Sequence, residues 1–392
     1  MKKHKRSTFS GKLGFVLSAA GASVGLGNIW RFPYLAAKYG GGTFLLTYLI
    51  LTLTFGFSLM ITEVALGRKA GTSAIRAFGH FSKKHTFIGY LTTIIPFIIF
   101  PYYCVIGGWV TKYALVSLQG GIHNAASDTF FTGFISKSAE PMICVLVFLI
   151  ATTVVVAGGV KGGVERVSTI MMPVLIVLLI GVSLFCITRP GAMAGVAYYL
   201  KPSLKGFGPT TILAALGQLF YSMSLAMGIM ITFGSYMPKK ADLEKSVTQV
   251  EIFDTGVAFL AGLMIVPAVF VFSNGDSSML AKGPSLMFVM LPKVFNSMAF
   301  SSVIAAVFFI LVLLAALTSS ISLLETLVAV LMDKFHMKRG TACITMFIIA
   351  LLLAVPSSLG FGAWSNITIL GFDFLDFFDF ISNSVLMPIA AF

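Results

Sequence analysis

The chain has 392 residues, 57% hydrophobic and only 10% charged, with 27 Lys and Arg against 14 Asp and Glu. A soluble domain carries nearer a quarter charged residues, and the mean hydropathy is +0.96. Apolar runs of membrane length recur throughout, which predicts an all-α polytopic membrane protein. They exclude a β-barrel, whose strands would alternate polar and apolar over roughly ten residues. The net charge of +13 does not point to nucleic acid, because the basic residues collect in short loops between apolar runs.

Residues 1–10 form a basic tail without a cleavage site and read as an uncleaved cytoplasmic segment. Ten spans follow, at about 11–37, 42–67, 87–118, 142–160, 166–188, 212–236, 249–273, 300–331, 341–359 and 371–392. The loop after span two holds Arg68, Lys69, Arg76, Lys83 and Lys84, and the loop after span four holds Lys161 and Arg166. Lys239, Lys240 and Lys245 follow span six; Lys334, Lys338 and Arg339 follow span eight. The positive-inside rule puts these loops and the N-terminus in the cytoplasm. The chain stops at LMPIAAF, inside or at the end of the tenth span, as a fragment or an early stop would.

Span one contains AGASVGLGNIWRFP (20–33). Each glycine costs a helix about 1 kcal/mol relative to alanine, so three in seven residues favour local unwinding. Lipid cannot satisfy unwound backbone, which survives only where it lines a polar cavity. The competing reading is close helix packing through the Gly21/Gly25 pair. Asn28, Arg31 and Pro33 on the same segment favour a site. Span six, LGQLFYSMSLAMGIMITFGSYM (216–237), carries Ser222, Ser224, Gly228 and Gly234 in its middle. Spans one and six each open a set of five, 11–188 and 212–392. Interrupted spans at corresponding positions of two halves point to a midplane binding site in an inverted-repeat transporter.

Span seven carries Asp254, which needs a cation or a hydrogen-bond partner, or else snorkels to the interface. Span eight carries LTSSIS (317–322), whose hydroxyls either line the site or back-bond to their own helix. Glu63, near the end of span two, is expected to pair with Arg68 or snorkel. Cys104, Cys144, Cys186 and Cys343 lie in apolar runs and read as core. His4, His80, His85, His123 and His336 lie in tails or loops. No metal spacing, nucleophile–base pair or nucleotide motif is present, so the chain does not read as an enzyme.

AGASVGLGNIWRFPYLAAKYGGGTF (20–44) resembles the first span and outer loop of the neurotransmitter:sodium symporter family. The resemblance continues through EVALGR (63–68), PYYCVIGGW (101–109), GQLFYSMSLAMGIMITFGSYM (217–237), LTSSIS (317–322) and FDFLDFF (372–378). It implies a five-plus-five inverted-repeat fold with broken first and sixth helices. It also implies alternating access and sodium-driven uptake of amino acids or amines, across a prokaryotic inner (plasma) membrane. Members usually have eleven or twelve spans.

Carried over by resemblance, a first sodium site would use Ser23, Asn28, Ser222 and Asp254 with the substrate carboxylate. A second would use backbone oxygens of Gly21, Val24 and Ala315 with the hydroxyls of Thr318 and Ser319. Relatives that bind chloride hold it with residues matching Tyr48, Gln218 and Ser222. Here Asp254 would replace the ion's charge, which implies chloride-independent transport. Amine transporters place an aspartate at the position of Gly25, so an amino acid bringing its own carboxylate is expected here. The substrate would meet Ser23, Gly25, Gly27, Tyr103, Ser222 and Ser224, with its side chain against Ile99, Tyr221, Met227, Ser319 and Leu323. That apolar lining implies a neutral hydrophobic or aromatic amino acid.

By the same resemblance, Arg31 and Asp376 would form the outer gate, with Asp373 and Asp379 as rivals, and Tyr103 and Tyr221 the aromatic lid. Arg6 and Asp333 would form the inner gate, near Ser235, Tyr236 and Phe9, the last standing where the family usually has Trp. Gly163 and Pro173 have the spacing of an element that unwinds span five in some relatives; an ordinary proline kink is the other reading. The expected partners are sodium, a small amino acid and the bilayer. The alternative function is a binding-only membrane sensor or a non-transporting remnant.

Overall fold

The computed structural model describes residues 7–203, 207–273 and 285–391. Among these the chain is helical, and the only pairing of strand type is an isolated bridge between Ile369 and Phe372. Helix α1 (Lys12–Ser23) stops where Val24 turns extended at φ −72°, ψ 106°. Helix α2 resumes at Gly27 and runs to Lys38, 53° off the first axis. Span one is therefore broken at the glycines that the sequence singled out.

The chain continues through α3 (Gly42–Ala70), the short α4 (Ala74–Phe81), α5 (Lys83–Leu118), α6 (Ala139–Ala157), α7 (Val160–Ile187) and α8 (Ala192–Leu200). Helices α9 (Pro209–Ser222) and α10 (Ile229–Tyr236) share the sixth span and are separated by a second break. Then come α11 (Leu243–Phe272), the short α12 (Leu286–Asn296), α13 (Ser301–Phe335), α14 (Arg339–Leu359) and α15 (Phe374–Ala391). Among the described residues, eight helices are long and apolar enough to cross a membrane, and α1 with α2 makes a bent ninth. Helices α9 and α10 supply the remaining expected span.

The second break is tight. Ser224 (φ +53°), Ala226 (φ +61°) and Gly228 (φ +68°) all adopt left-handed conformation. Two of the three are not glycine, and each such residue costs on the order of 1–3 kcal/mol unless its surroundings impose it. Two contacts impose it here. The Ala226 N–H donates to Glu63 Oε1 at 2.6 Å, and Ser224 Oγ donates to the Ala22 carbonyl at 3.0 Å. Glu63 therefore caps a helix break and does not pair with Arg68, which donates to the Lys239 carbonyl.

Helix α13 is buried almost continuously from Ala315 to Val330, and α5 is buried around Ile99–Val110. They form the centre of the bundle. Helices α6 and α7 turn Ile150, Val154, Ile170 and Val177 outward, as lipid-facing helices do. Helix α7 begins with a π-helical turn at Val160–Glu165 and then runs unbroken through Pro173. The Gly163–Pro173 element, read as either an unwinding element or a proline kink, is wound in this structure. The four cysteines are buried and free, in agreement with their reading as core.

Small residues set the closest helix approach. A Cβ at Gly67 on α3 would collide with the Ile231 carbonyl on α10, and one at Gly234 with the Val64 carbonyl. These partners are backbone and cannot rotate away, so Gly67→Val is expected to destabilise by about 3 kcal/mol or more. In detergent, size-exclusion profiles after a heating series check this. Gly217→Ala, where a Cβ meets open space, is expected to leave the profile unchanged.

Candidate functional site

The two breaks face each other across a small cavity. It is lined by Ala22, Ser23, Gly25, Leu26, Gly27, Ile99, Tyr103, Tyr221, Ser224, Met227, Ile229, Ser319 and Leu323. Every residue expected to meet the substrate is among them except Ser222. Ala22, Leu26 and Ile229 are additions, each beside a residue or motif already singled out. Two glycines are dictated by approach. A Cβ at Gly25 would strike Ser319 Oγ and lie 3.1 Å from Tyr103 Oη; one at Gly27 would lie 2.7 Å from Tyr221 Cδ1. The cavity has polar backbone where the helices are broken and apolar side chains at its far wall.

Asp254, from α11, is fully buried. Asn28 Nδ2 donates to its Oδ1 at 2.7 Å and to its carbonyl at 3.1 Å. Ser222 Oγ lies 3.1 Å from both carboxylate oxygens, and Tyr48 Oη donates to Oδ2 at 3.4 Å. The Asn28 amide is oriented by the Gly25 N–H, which donates to its Oδ1 at 3.0 Å. All the donors are neutral, and no ion pair to Asp254 occurs among the described residues. A buried carboxylate without a counter-charge is costly, a cost that a cation or a proton would relieve.

Ser222 belongs to this centre and not to the cavity wall, because its hydroxyl is turned to Asp254. The hydroxyl of Ser23 is turned elsewhere. It bonds back to the Ala19 carbonyl at 3.2 Å and reaches the Met223 carbonyl at 3.5 Å, not Asp254. Gln218 turns its amide to the Gly27 carbonyl at 2.9 Å and leaves Oε1 buried without a hydrogen bond. Of the cluster expected to replace chloride, Tyr48 and Ser222 both bond to Asp254, while Gln218 bonds to the Gly27 carbonyl.

A second set of oxygens joins α1 to α13. Thr318 Oγ1 lies 3.4 Å from the Val24 carbonyl and 3.0 Å from that of Ala315; Ser319 Oγ lies 3.1 Å from Val24 O and 3.3 Å from Ala22 O. Gly21 packs against Thr318, where a Cβ would come within 3.3 Å of Thr318 Cβ. The C-terminal carbonyls of a half-helix beside two hydroxyls suit a monovalent hard cation. No carboxylate takes part.

On the Arg31 side, the two expected gate residues do not bond directly. Arg31 stacks over the Tyr221 ring at 4.9 Å and makes no ion pair with Asp376 among the described residues. The Asp376 N–H is capped by Asp373 Oδ1 at 2.9 Å. Asp379, one turn further, is the aspartate that faces the bundle: Tyr102 Oη donates to it at 3.2 Å and Asn383 Nδ2 at 2.6 Å. Asp376 and Asp379 lie three residues apart on one helix face, so sequence spacing cannot separate them.

On the Phe9 side, the Phe9 ring packs edge-on against Phe15, Phe233 and Tyr236 at 5.8–6.0 Å, and its N–H donates to the Tyr236 carbonyl at 2.9 Å. Phenylalanine thus fills the plug position expected to hold Trp. Asp333 Oδ2 accepts the Ser73 N–H at 2.7 Å; Arg6 lies outside the described residues. Sequence reasoning missed the next contact. Tyr236 Oη donates to Glu325 Oε1 at 2.8 Å, and Arg339 forks onto the same buried carboxylate. An acidic residue well inside span eight was the available signal.

The family model for the sodium:neurotransmitter symporter family matches residues 6–139 and 131–392. A sodium-dependent transporter of Bacillus subtilis, YhdH, is 36% identical over 396 residues, covering 100% of this chain and 87% of that protein. A sodium-dependent transporter of Methanocaldococcus jannaschii is 33% identical, covering 100% and 81%. Among solved structures, MhsT in complex with L-phenylalanine superposes with a TM-score of 0.90 at 39% identity, covering 99% of this chain and 88% of that one. With two broken helices enclosing one cavity, and a family match over nearly the whole chain, this protein belongs to the sodium:neurotransmitter symporter family, and sodium is its coupling ion.

Proposed function

We propose that the chain imports a neutral hydrophobic or aromatic amino acid together with sodium, by alternating access and without chloride. The observation that carries the substrate class is the packing at Gly25. Ser319 and Tyr103 crowd that position, and none of the residues lining the cavity is acidic, so no lining carboxylate pairs a ligand ammonium. The ligand must bring its own carboxylate, which would lie by Gly27 and Tyr103. The far wall of Ile99, Met227, Ile229 and Leu323 suits an apolar side chain. Likeness to a structure that holds L-phenylalanine supports the same reading. Such a wall discriminates a single methylene by only ~1–3 kcal/mol, so several related amino acids share the site.

In this reading the first sodium lies against Asp254, Asn28 and Ser222, and the second between α1 and α13 at Val24, Ala315, Thr318 and Ser319. The basic loops support a cytoplasmic N-terminus and a plasma-membrane location. Residues 1–10 are then a cytoplasmic tail, and 11–188 and 212–392 the two repeats.

Proteoliposomes with an inward sodium gradient test the substrate. Accumulation of leucine-like or phenylalanine-like amino acids is expected, with none when potassium replaces sodium and none in Asn28→Ala. Sodium-dependent binding without accumulation would select a sensor or non-transporting protein in place of a symporter. Neither binding nor uptake of any amino acid by folded protein would refute the substrate class.

Replacing chloride by gluconate tests the anion. Wild-type uptake is expected to be unchanged, and Asp254→Ser to become dependent on chloride. Chloride-dependent uptake by the wild type, unaltered in kind by Asp254→Ser, would contradict the assignment.

A further inference from the structure

Helix α1 is held at two points by α7, and the contacts are in register. Gly14 lies against Glu165, and Gly21 lies against Met172, whose Cγ would be 3.5 Å from a Cβ there. Both pairs are spaced by seven residues, two turns, on parallel helices. The first contact is polar and specific. The Ser10 N–H donates to Glu165 Oε2 at 2.9 Å and to Oε1 at 3.2 Å, and Ser10 Oγ donates to Oε1 as well. Gly14 is bare because a Cβ would occupy the place of the carboxylate.

Helix α1 has no cap of its own. Its N-cap is Gly11, which offers no side-chain bond, and its first turn holds no acidic residue. Glu165, only 6% exposed, supplies the negative group from another helix, where the unpaired N–H groups and the helix dipole favour one. It is also the last residue of the π-helical turn that opens α7. Such turns carry a surplus residue and accompany functional sites.

We propose that Glu165 is a positioning residue that latches the Phe9 end of α1 shut, and that its release from Ser10 lets α1 swing away and open the path from the cavity to that side. The inference rests on the alternating-access reading but not on the substrate. Two restraints then hold a rod of about 18 Å: the carboxylate at Ser10, and at the other end the oxygens of Val24, Thr318 and Ser319. Phe9, next to Ser10, is the plug that the latch keeps among Phe15, Phe233 and Tyr236. Loss of the latch lowers the barrier to opening on this side without touching the cavity.

A thiol reporter tests it. Phe233→Cys places a reactive group under the Phe9 plug, and the native cysteines, all buried, give the background. At saturating sodium, Glu165→Ala on this background is expected to raise the rate of thiol labelling at position 233 about tenfold, the effect of roughly 1.4 kcal/mol. Gly14→Ala, which displaces the carboxylate while keeping Glu165, is expected to do the same and serves if Glu165→Ala fails to fold. Glu165→Gln, which keeps an acceptor for the Ser10 N–H, should stay nearer the parent. An unchanged rate in both alanine variants would overturn the proposal. So would equal acceleration at Cys186 or Cys343, which would mean general loosening. The labelling needs no transported ligand, so a wrong substrate class leaves this result interpretable.

Discussion

The carboxylate of Asp254 is the constraint around which the rest is arranged. It is fully buried among three neutral donors, Asn28, Ser222 and Tyr48. Hydrogen bonds reduce the cost of such a charge but do not remove it. A cation next to it would. Each donor comes from a different segment: the broken first span, the end of α9, and α3. A cation there would fasten three elements to α11 at once, and Asn28 sits beside the break that lines the cavity. Binding of the ion and shaping of the substrate site are therefore one event in the proposed cycle.

The second set of oxygens works differently. Thr318 and Ser319 already donate to the carbonyls of Ala22, Val24 and Ala315. Helices α1 and α13 are thus held together by neutral bonds of about 1 kcal/mol each, which a cation would replace with stronger ones. With no carboxylate in the set, this position depends on geometry alone, and a small displacement of α1 disperses it. In the proposed cycle, the fixing of α1 at its opposite end, by Glu165 and the Phe9 plug, is then a matter of ion retention as well as of gating.

Much of this was legible in the sequence, because membrane burial makes polar residues conspicuous. Three glycines and an asparagine in an apolar run announced the first break, and Ser222, Ser224 and Gly228 announced the second. Asp254 stood out as a carboxylate inside a span. What the sequence did not settle were choices one helical turn apart and choices of direction. Asp376 and Asp379 share a face, and it is the bonds from Tyr102 and Asn383 that single out Asp379. The Ser23 hydroxyl could point along its own helix or across to Asp254, and it takes the first course. Glu63 was expected to pair with Arg68 or snorkel, because its actual partner, the bare Ala226 N–H, exists only once the second break has formed. The Tyr236–Glu325–Arg339 contact joins three distant segments, and no local pattern encodes it.

The most direct test of the Asp254 account is equilibrium binding of radioactive sodium in chloride-free medium, without amino acid, to the wild type and to Asp254→Asn. The asparagine keeps the shape and removes the charge. The account predicts saturable binding by the wild type and, in the variant, a loss of at least tenfold in sodium affinity for one class of site. Identical isotherms for the two folded proteins would contradict it.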